Sequence, residues 1–180
     1  MVLVEGPARA PRVFDQRSIE LSDATVPTSR QPYHAVLGAR PGAAVKLERH
    51  LRRLVERVTR RSLMALLREY RRHGRVVRGV ALVVGSVIDP ATIANDHIRA
   101  HALEGQLFRT ALERAARAGK VPCATLVERS LYETAAARLR RPAGELKRTV
   151  AELGSGVTGR WRADEKAATL AAWLVLRRAH

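Results

Sequence analysis

One cysteine, Cys123, stands in a chain of 180 residues. An internal disulfide is therefore excluded, and so is a zinc site built from cysteine thiolates. Cys123 lies in the apolar run 121–127, which points to a buried, unreactive thiol. Aromatic residues make up only 4%, which counts against single-strand recognition by stacking bases on aromatic platforms. No apolar run approaches the roughly 20 residues of a membrane span; the longest, 80–88, is interrupted by glycine and serine. The opening MVLVEGPARAPR has no long apolar segment of the secretory kind. A cytoplasmic location without a membrane partner is the expectation. The phosphate loop GxxxxGK[ST] is missing, as are GxGxxG led in by an apolar strand, and GxSxG.

Acidic residues are also in short supply, with 17 against 33 basic ones and a formal charge of +16. Of the cations 29 are arginine and four are lysine. A GC-rich genome exchanges lysine for arginine, but it does not remove acids. A chain this basic repels itself, and a polyanion relieves the repulsion. Arginine grips phosphate through a planar two-pronged fork that lysine lacks. Nucleic acid, DNA or RNA, is the expected partner.

At 46% hydrophobic, the chain can bury a core. Residues 1–12 hold Gly6, Pro7 and Pro11 and read as a flexible arm, and 13–180 as a single α/β domain. Short strands are expected at 13–14, 19–21 and 33–37, broken by Pro27 and Pro32. A long helical pattern follows at about 43–72, with a phase shift near 59–62 that allows a kink or two helices. Gly74 stops it. The run 76–87 reads as a buried strand, 94–118 as a helix, 122–127 as a second buried strand, and 131–140, 145–153 and 163–177 as helices. This order predicts an α/β fold with a mixed central sheet flanked by helices.

The long helix carries the charge. Leu47, Leu51, Leu54, Val55 and Val58 recur on one face. Lys46, Arg49, Arg52, Arg53, Arg57, Arg60, Arg61, Arg68, Arg71 and Arg72 crowd the other, with only Glu48, Glu56 and Glu69 against them. Ten cations and three anions make a poor salt-bridged surface. A solvated face, a phosphate-contacting face and a docking surface for an acidic protein all fit. The helix could also pair with a second copy across a two-fold.

His97, His101 and Glu104 are spaced i, i+4, i+7 and fall within about 60° on one helical face. Two imidazoles one turn apart can share a metal, with a carboxylate as third ligand. The same face could bind a small anion as an enzyme or sensor, or the histidines could be structural. A second group is acidic: Asp15, Asp89, Glu128 and the pair Asp164-Glu165 sit beside apolar elements. Carboxylates gathered at strand ends can hold Mg²⁺ or Mn²⁺ for phosphodiester cleavage. Each also has a plain reading, Asp89 as a turn residue before proline and Asp164 as a helix cap.

Two segments carry a resemblance. Leu146-Lys147-Arg148-Thr149-Val150 is similar to the basic stretch before the late loop of the RuvC-like branch of the ribonuclease H-like superfamily. Arg162-Ala163-Asp164-Glu165-Lys166-Ala167-Ala168-Thr169-Leu170-Ala171-Ala172 resembles that family's alanine-rich final helix, which opens with metal-binding aspartates. The order of elements from 43 to 178 looks alike too. The resemblance implies a ribonuclease H-like fold and a divalent-metal-dependent nuclease or a degenerate relative, with Mg or Mn as cofactor. Carried onto this chain, Asp89, Glu104 and Asp164 would be the catalytic and metal-binding acids, His101 a water activator, and His97 a further metal ligand. Arg49, Arg52, Arg53, Arg57, Arg60, Arg61, Lys147 and Arg148 would contact the phosphates. The family's first-strand Asp-Pro-Gly is absent, Val84-Gly85-Ser86 stand where its fourth strand has Glu, and Ala167 and Ala168 replace a second aspartate.

Overall fold

In the computed structural model, residues 1–178 are described, the side chain of Arg178 excepted. The chain is mixed α/β and predominantly helical. It folds as two compact units, each assembled from separate stretches of sequence.

Unit 1 comprises Met1–Ser18, Val77–Ser86 and the chain from Val121 onward. It holds the four strands found among the described residues: β1 (Val2–Glu5), β2 (Arg12–Gln16), β3 (Val80–Val84) and β4 (Cys123–Val127). They form two two-stranded sheets, antiparallel β1–β2 and parallel β3–β4, where one mixed sheet was expected. Residues 2–5, expected as part of a loose arm, are strand β1. The hairpin turns at Gly6, which has the positive φ of 93° that only glycine adopts readily. Helices α3 (Leu131–Leu139), α4 (Ala143–Leu153) and α5 (Ala163–Arg178) complete the unit.

The core of unit 1 is built by α3, α4 and α5. Leu131, Ala135, Leu146, Val150, Leu170, Ala171, Trp173 and Leu174 are buried together, and Ala81, Val83 and Leu126 of the parallel sheet pack against them. Trp173 is fully buried, and its indole N–H donates to the Ala8 carbonyl at 2.7 Å. That bond ties the N-terminal hairpin to the last helix, and α5 packs on both β1 and β3. Gly79 leads into β3 with no room for a side chain, because a Cβ there would collide with Val175.

The start of α5 shows why its acids sit where they do. Glu165, in the first turn, accepts a hydrogen bond from the Arg162 backbone N–H at 2.8 Å, half of a capping box. This bond holds the Glu165 carboxyl below its ordinary value of 4.5. The stabilisation is therefore complete above that pH and fades as pH falls through the lowered value. Glu165→Gln should lower stability at pH 7 by under about 1 kcal/mol, since the group is well solvated. The difference from wild type should shrink as pH falls below that ordinary value, which urea titrations at pH 7 and at acidic pH would measure.

Unit 2 comprises Ile19–Val76 and Val87–Lys120. Two helices dominate it, α1 (Pro41–Arg72) and α2 (Asp96–Ala118), packed on each other. α1 starts with proline at its first position, where the missing N–H costs nothing. It runs through 59–62 as one helix, not two. Thr59 is buried there and its hydroxyl reaches the Leu21 carbonyl at 3.4 Å, so a polar residue occupies the inward face. The segment 33–37, expected as a strand, instead contains a short 3₁₀ turn, His34–Val36. Another, Pro27–Arg30, precedes it. Prolines 27 and 32 remove two backbone donors from this stretch, which disfavours a sheet ladder.

Candidate functional sites: an arginine-lined helix face and a histidine cluster

α1 buries Leu51, Leu54, Val55, Val58, Leu63, Leu66, Leu67 and Tyr70. That fixes the opposite face outward, and all ten of its cations are exposed. Unit 2 carries 18 basic residues against 9 acidic, a net +9, and α1 alone supplies ten against three. The acids do little to neutralise it. Glu48 pairs with Arg52 at 3.3 Å, while Glu56 is taken by Arg114 of α2 at 2.6 Å. Arg57 and Arg61 lie near Asp23, whose carboxyl is held low chiefly by hydrogen bonds from Thr25 and less by these two guanidinium groups. Arg49, Arg53, Arg60, Arg68, Arg71 and Arg72 have no acidic partner among the described residues. Arg68, Arg71 and Arg72 line one surface depression at the helix end. Lys147 and Arg148 are exposed on α4 in unit 1, with the Lys147 ammonium 5.4 Å from the Tyr132 ring centre.

The acidic residues have separate local environments. Asp89 is exposed, and its carboxylate accepts from the Ala91 N–H at 3.0 Å, capping the short turn Pro90–Thr92. Asp164 is exposed in the first turn of α5, in unit 1. Glu128 is exposed at the end of β4, also in unit 1. Glu104 is buried in unit 2, 6% exposed. Among the described residues, one group of three His, Cys, Asp or Glu side chains is placed to share an ion, and its members are His34, His97 and His101.

The cluster is assembled by two elements. Asn95 caps α2 by accepting from the Ile98 N–H at 3.0 Å, and Asp96 sits in the first turn, where the helix dipole favours an acid. Arg99 bonds Asp96 and donates to the Ile93 carbonyl at 3.0 Å, so it turns away from the histidines' role. His97 and His101 then stand one turn apart on one face, as their spacing requires. His34 comes from the 3₁₀ turn. Its ring lies 4.7 Å from His97 and 4.2 Å from His101, centre to centre, and His97 and His101 are 4.7 Å apart. His34 Nε2 is 3.2 Å from His97 Nδ1.

Glu104 underlies this triangle. Its Oε1 is 2.9 Å from His34 Nδ1 and accepts from the His34 backbone N–H at 3.2 Å. Its Oε2 is 3.8 Å from His101 Nδ1. Oε1 thus faces both the backbone and ring nitrogens of His34, as a buried carboxylate needs, while Oε2 faces His101 from beyond hydrogen-bond distance. It stands behind the imidazoles, not among the three converging ligand atoms. Tyr33, next to His34, packs against Val55, Leu107 and Ala111, which seats the turn on both helices. Burial pushes its phenol pKa up, with nearby Arg52 pulling the other way.

Of the residues anticipated for a site, the structure brings together His97, His101 and Glu104. His34 was not anticipated. Its only mark in the sequence is a histidine inside a proline-broken segment, and its partners lie 63 to 70 residues away. No protein-family model, curated protein or solved structure matches this chain.

Proposed function

We propose that this chain binds nucleic acid through the exposed face of α1. The observation that carries this reading is the run of arginines without acidic partners, Arg49, Arg53, Arg60, Arg68, Arg71 and Arg72, on a helix whose other face is locked into a core. A guanidinium with no carboxylate beside it keeps its full capacity for a phosphate fork. From Lys46 to Arg72 the helix rises about 39 Å, comparable to eleven or twelve base pairs of duplex. Lys147 and Arg148, exposed on α4 of unit 1, would make phosphate contacts of their own, and a cytoplasmic setting fits the partner. No helix is long and apolar enough to cross a membrane among the described residues.

The ribonuclease H-like relationship remains part of the proposal through the order of elements from α1 to α5. A nuclease built on Asp89, Glu104 and Asp164 is not part of it. Asp89 and Glu104 already accept local hydrogen bonds.

Fluorescence anisotropy of a labelled 16-base-pair duplex, titrated at several salt concentrations, tests the reading. With six to ten phosphates neutralised, log K should fall against log salt with a slope of about −5 to −9. A slope shallower than about −2 would reject it.

A further inference from the structure

We propose that His34, His97 and His101 form a transition-metal site, with zinc(II) as the best-fitting occupant, and that buried Glu104 serves as its supporting carboxylate. This goes beyond nucleic-acid binding and uses a different part of unit 2.

Geometry is the first support. The three imidazoles each offer a ligand atom, and those atoms all lie within 4.8 Å of one another. In a tetrahedral site with Zn–N bonds of 2.0–2.1 Å, two ligand nitrogens stand about 3.4 Å apart. His34 Nε2 and His97 Nδ1 are already at 3.2 Å. Small rotations of the exposed His97 and His101 rings would close the other two edges.

The tautomer is the second, independent support. Glu104 Oε1 holds His34 Nδ1 at 2.9 Å, so that nitrogen carries the proton. The lone pair of His34 is then on Nε2, the atom turned toward His97. A metal-bound imidazole typically donates its other N–H to a carboxylate in this way, which fixes ring orientation and raises ligand basicity. The same carboxylate lies 3.8 Å from His101 Nδ1 and can serve a second ring.

The donor set selects the ion. Three imidazole nitrogens suit zinc, copper, nickel or iron, whereas Mg²⁺ and Ca²⁺ ask for oxygen. Neutral ligands leave the ion its full charge, and Glu104 offsets part of it from behind. Three protein ligands also leave a fourth position. His97 and His101 are exposed, so that position opens to solvent, the arrangement of a reactive zinc site rather than a closed structural one.

The experiment uses the full chain, without a histidine tag and stripped with a chelator. Zn²⁺ is titrated against a chromophoric competitor, and Co²⁺ by visible absorption. One Zn²⁺ per chain at sub-micromolar affinity, roughly the range of three-nitrogen sites, and a tetrahedral Co²⁺ spectrum are expected. His34→Ala and His97→Ala should each weaken binding at least about 100-fold, and His50→Ala should not change it. Should either alanine variant lose its helical circular dichroism, imidazole NMR of the wild type takes its place. Zn²⁺ must then shift the ring signals of three histidines and leave those of His50 and His73. Wild-type binding weaker than about 10 μM, equal binding by the alanine variants, or shifts at His50 and His73 instead, would each overturn the proposal.

Discussion

The quadruple variant Arg49→Gln, Arg53→Gln, Arg60→Gln, Arg68→Gln is expected to bind duplex about 100-fold more weakly than wild type near 0.1 M salt. Non-specific affinities of 10⁻⁴ to 10⁻⁶ M spread over six to ten phosphate contacts correspond to somewhat under 1 kcal/mol each. Four lost contacts therefore amount to about 3 kcal/mol. The salt slope should fall by about 3.6, at 0.9 per contact. The choice of residues makes the result interpretable. All four are exposed, and none has an acidic partner whose charge would be stranded. Glutamine is nearly as good a helix former as arginine, so folding should change by no more than about 0.5 kcal/mol per site. Four matched substitutions in unit 1, at exposed Arg9, Arg129, Arg138 and Arg160, separate this helix face from bulk charge. If the two quadruple variants lose affinity equally, the +16 acts as a diffuse cloud and α1 is no binding face.

The parts of this fold written in local periodicity were legible in the sequence. α1 begins two residues before the expected start and ends at the expected Arg72, because leucines every three or four residues and Gly74 mark it out. The apolar cores of β3 and β4 were equally visible. What stayed hidden depends on partners far along the chain. Val2–Glu5 is too short to announce a strand. It is held by β2 and by α5, with the bond from Trp173 to Ala8 spanning 165 residues. The division of four strands into two sheets is likewise a matter of tertiary pairing, which alternation of side chains does not encode.

The candidate site shows the same limit in miniature. Helical spacing alone put His97, His101 and Glu104 together, and they are together. Spacing could not say which of them face inward. Glu104 lies under the rings because α2 buries that side against α1, alongside Leu107 and Ala111. His34 then takes the position at which a ligand from α2 itself would have been expected. Basic charge behaves differently. An arginine surplus is plain from composition, but whether acids neutralise it is a question of side-chain partners, such as those of Glu48 and Glu56.

Glu104 is where fold and chemistry are coupled, and its variants should separate the two. Glu104→Ala removes the acceptor for both the His34 backbone N–H and its ring N–H in a part-buried setting. An orphaned donor costs about 1–3 kcal/mol, so the metal-free protein should be destabilised by about 2–4 kcal/mol in denaturant titration. Glu104→Gln keeps an oxygen acceptor of the same shape and should cost about 1 kcal/mol or less beyond the lost charge–dipole attraction. If the carboxylate only holds the turn in place, the two variants should rank alike in stability and in zinc affinity, with glutamine close to wild type in both. If it supports a metal site, glutamine should still lose about 10- to 100-fold in zinc affinity, because a neutral amide neither raises the basicity of His34 nor offsets the ion's charge. Aspartate keeps the charge but draws it back by one methylene, so it should recover part of the affinity while losing stability. Opposite rankings of Glu104→Gln and Glu104→Asp in the two measurements would therefore mark an electrostatic role at the metal. Parallel rankings would reduce Glu104 to a structural anchor for the 34–36 turn.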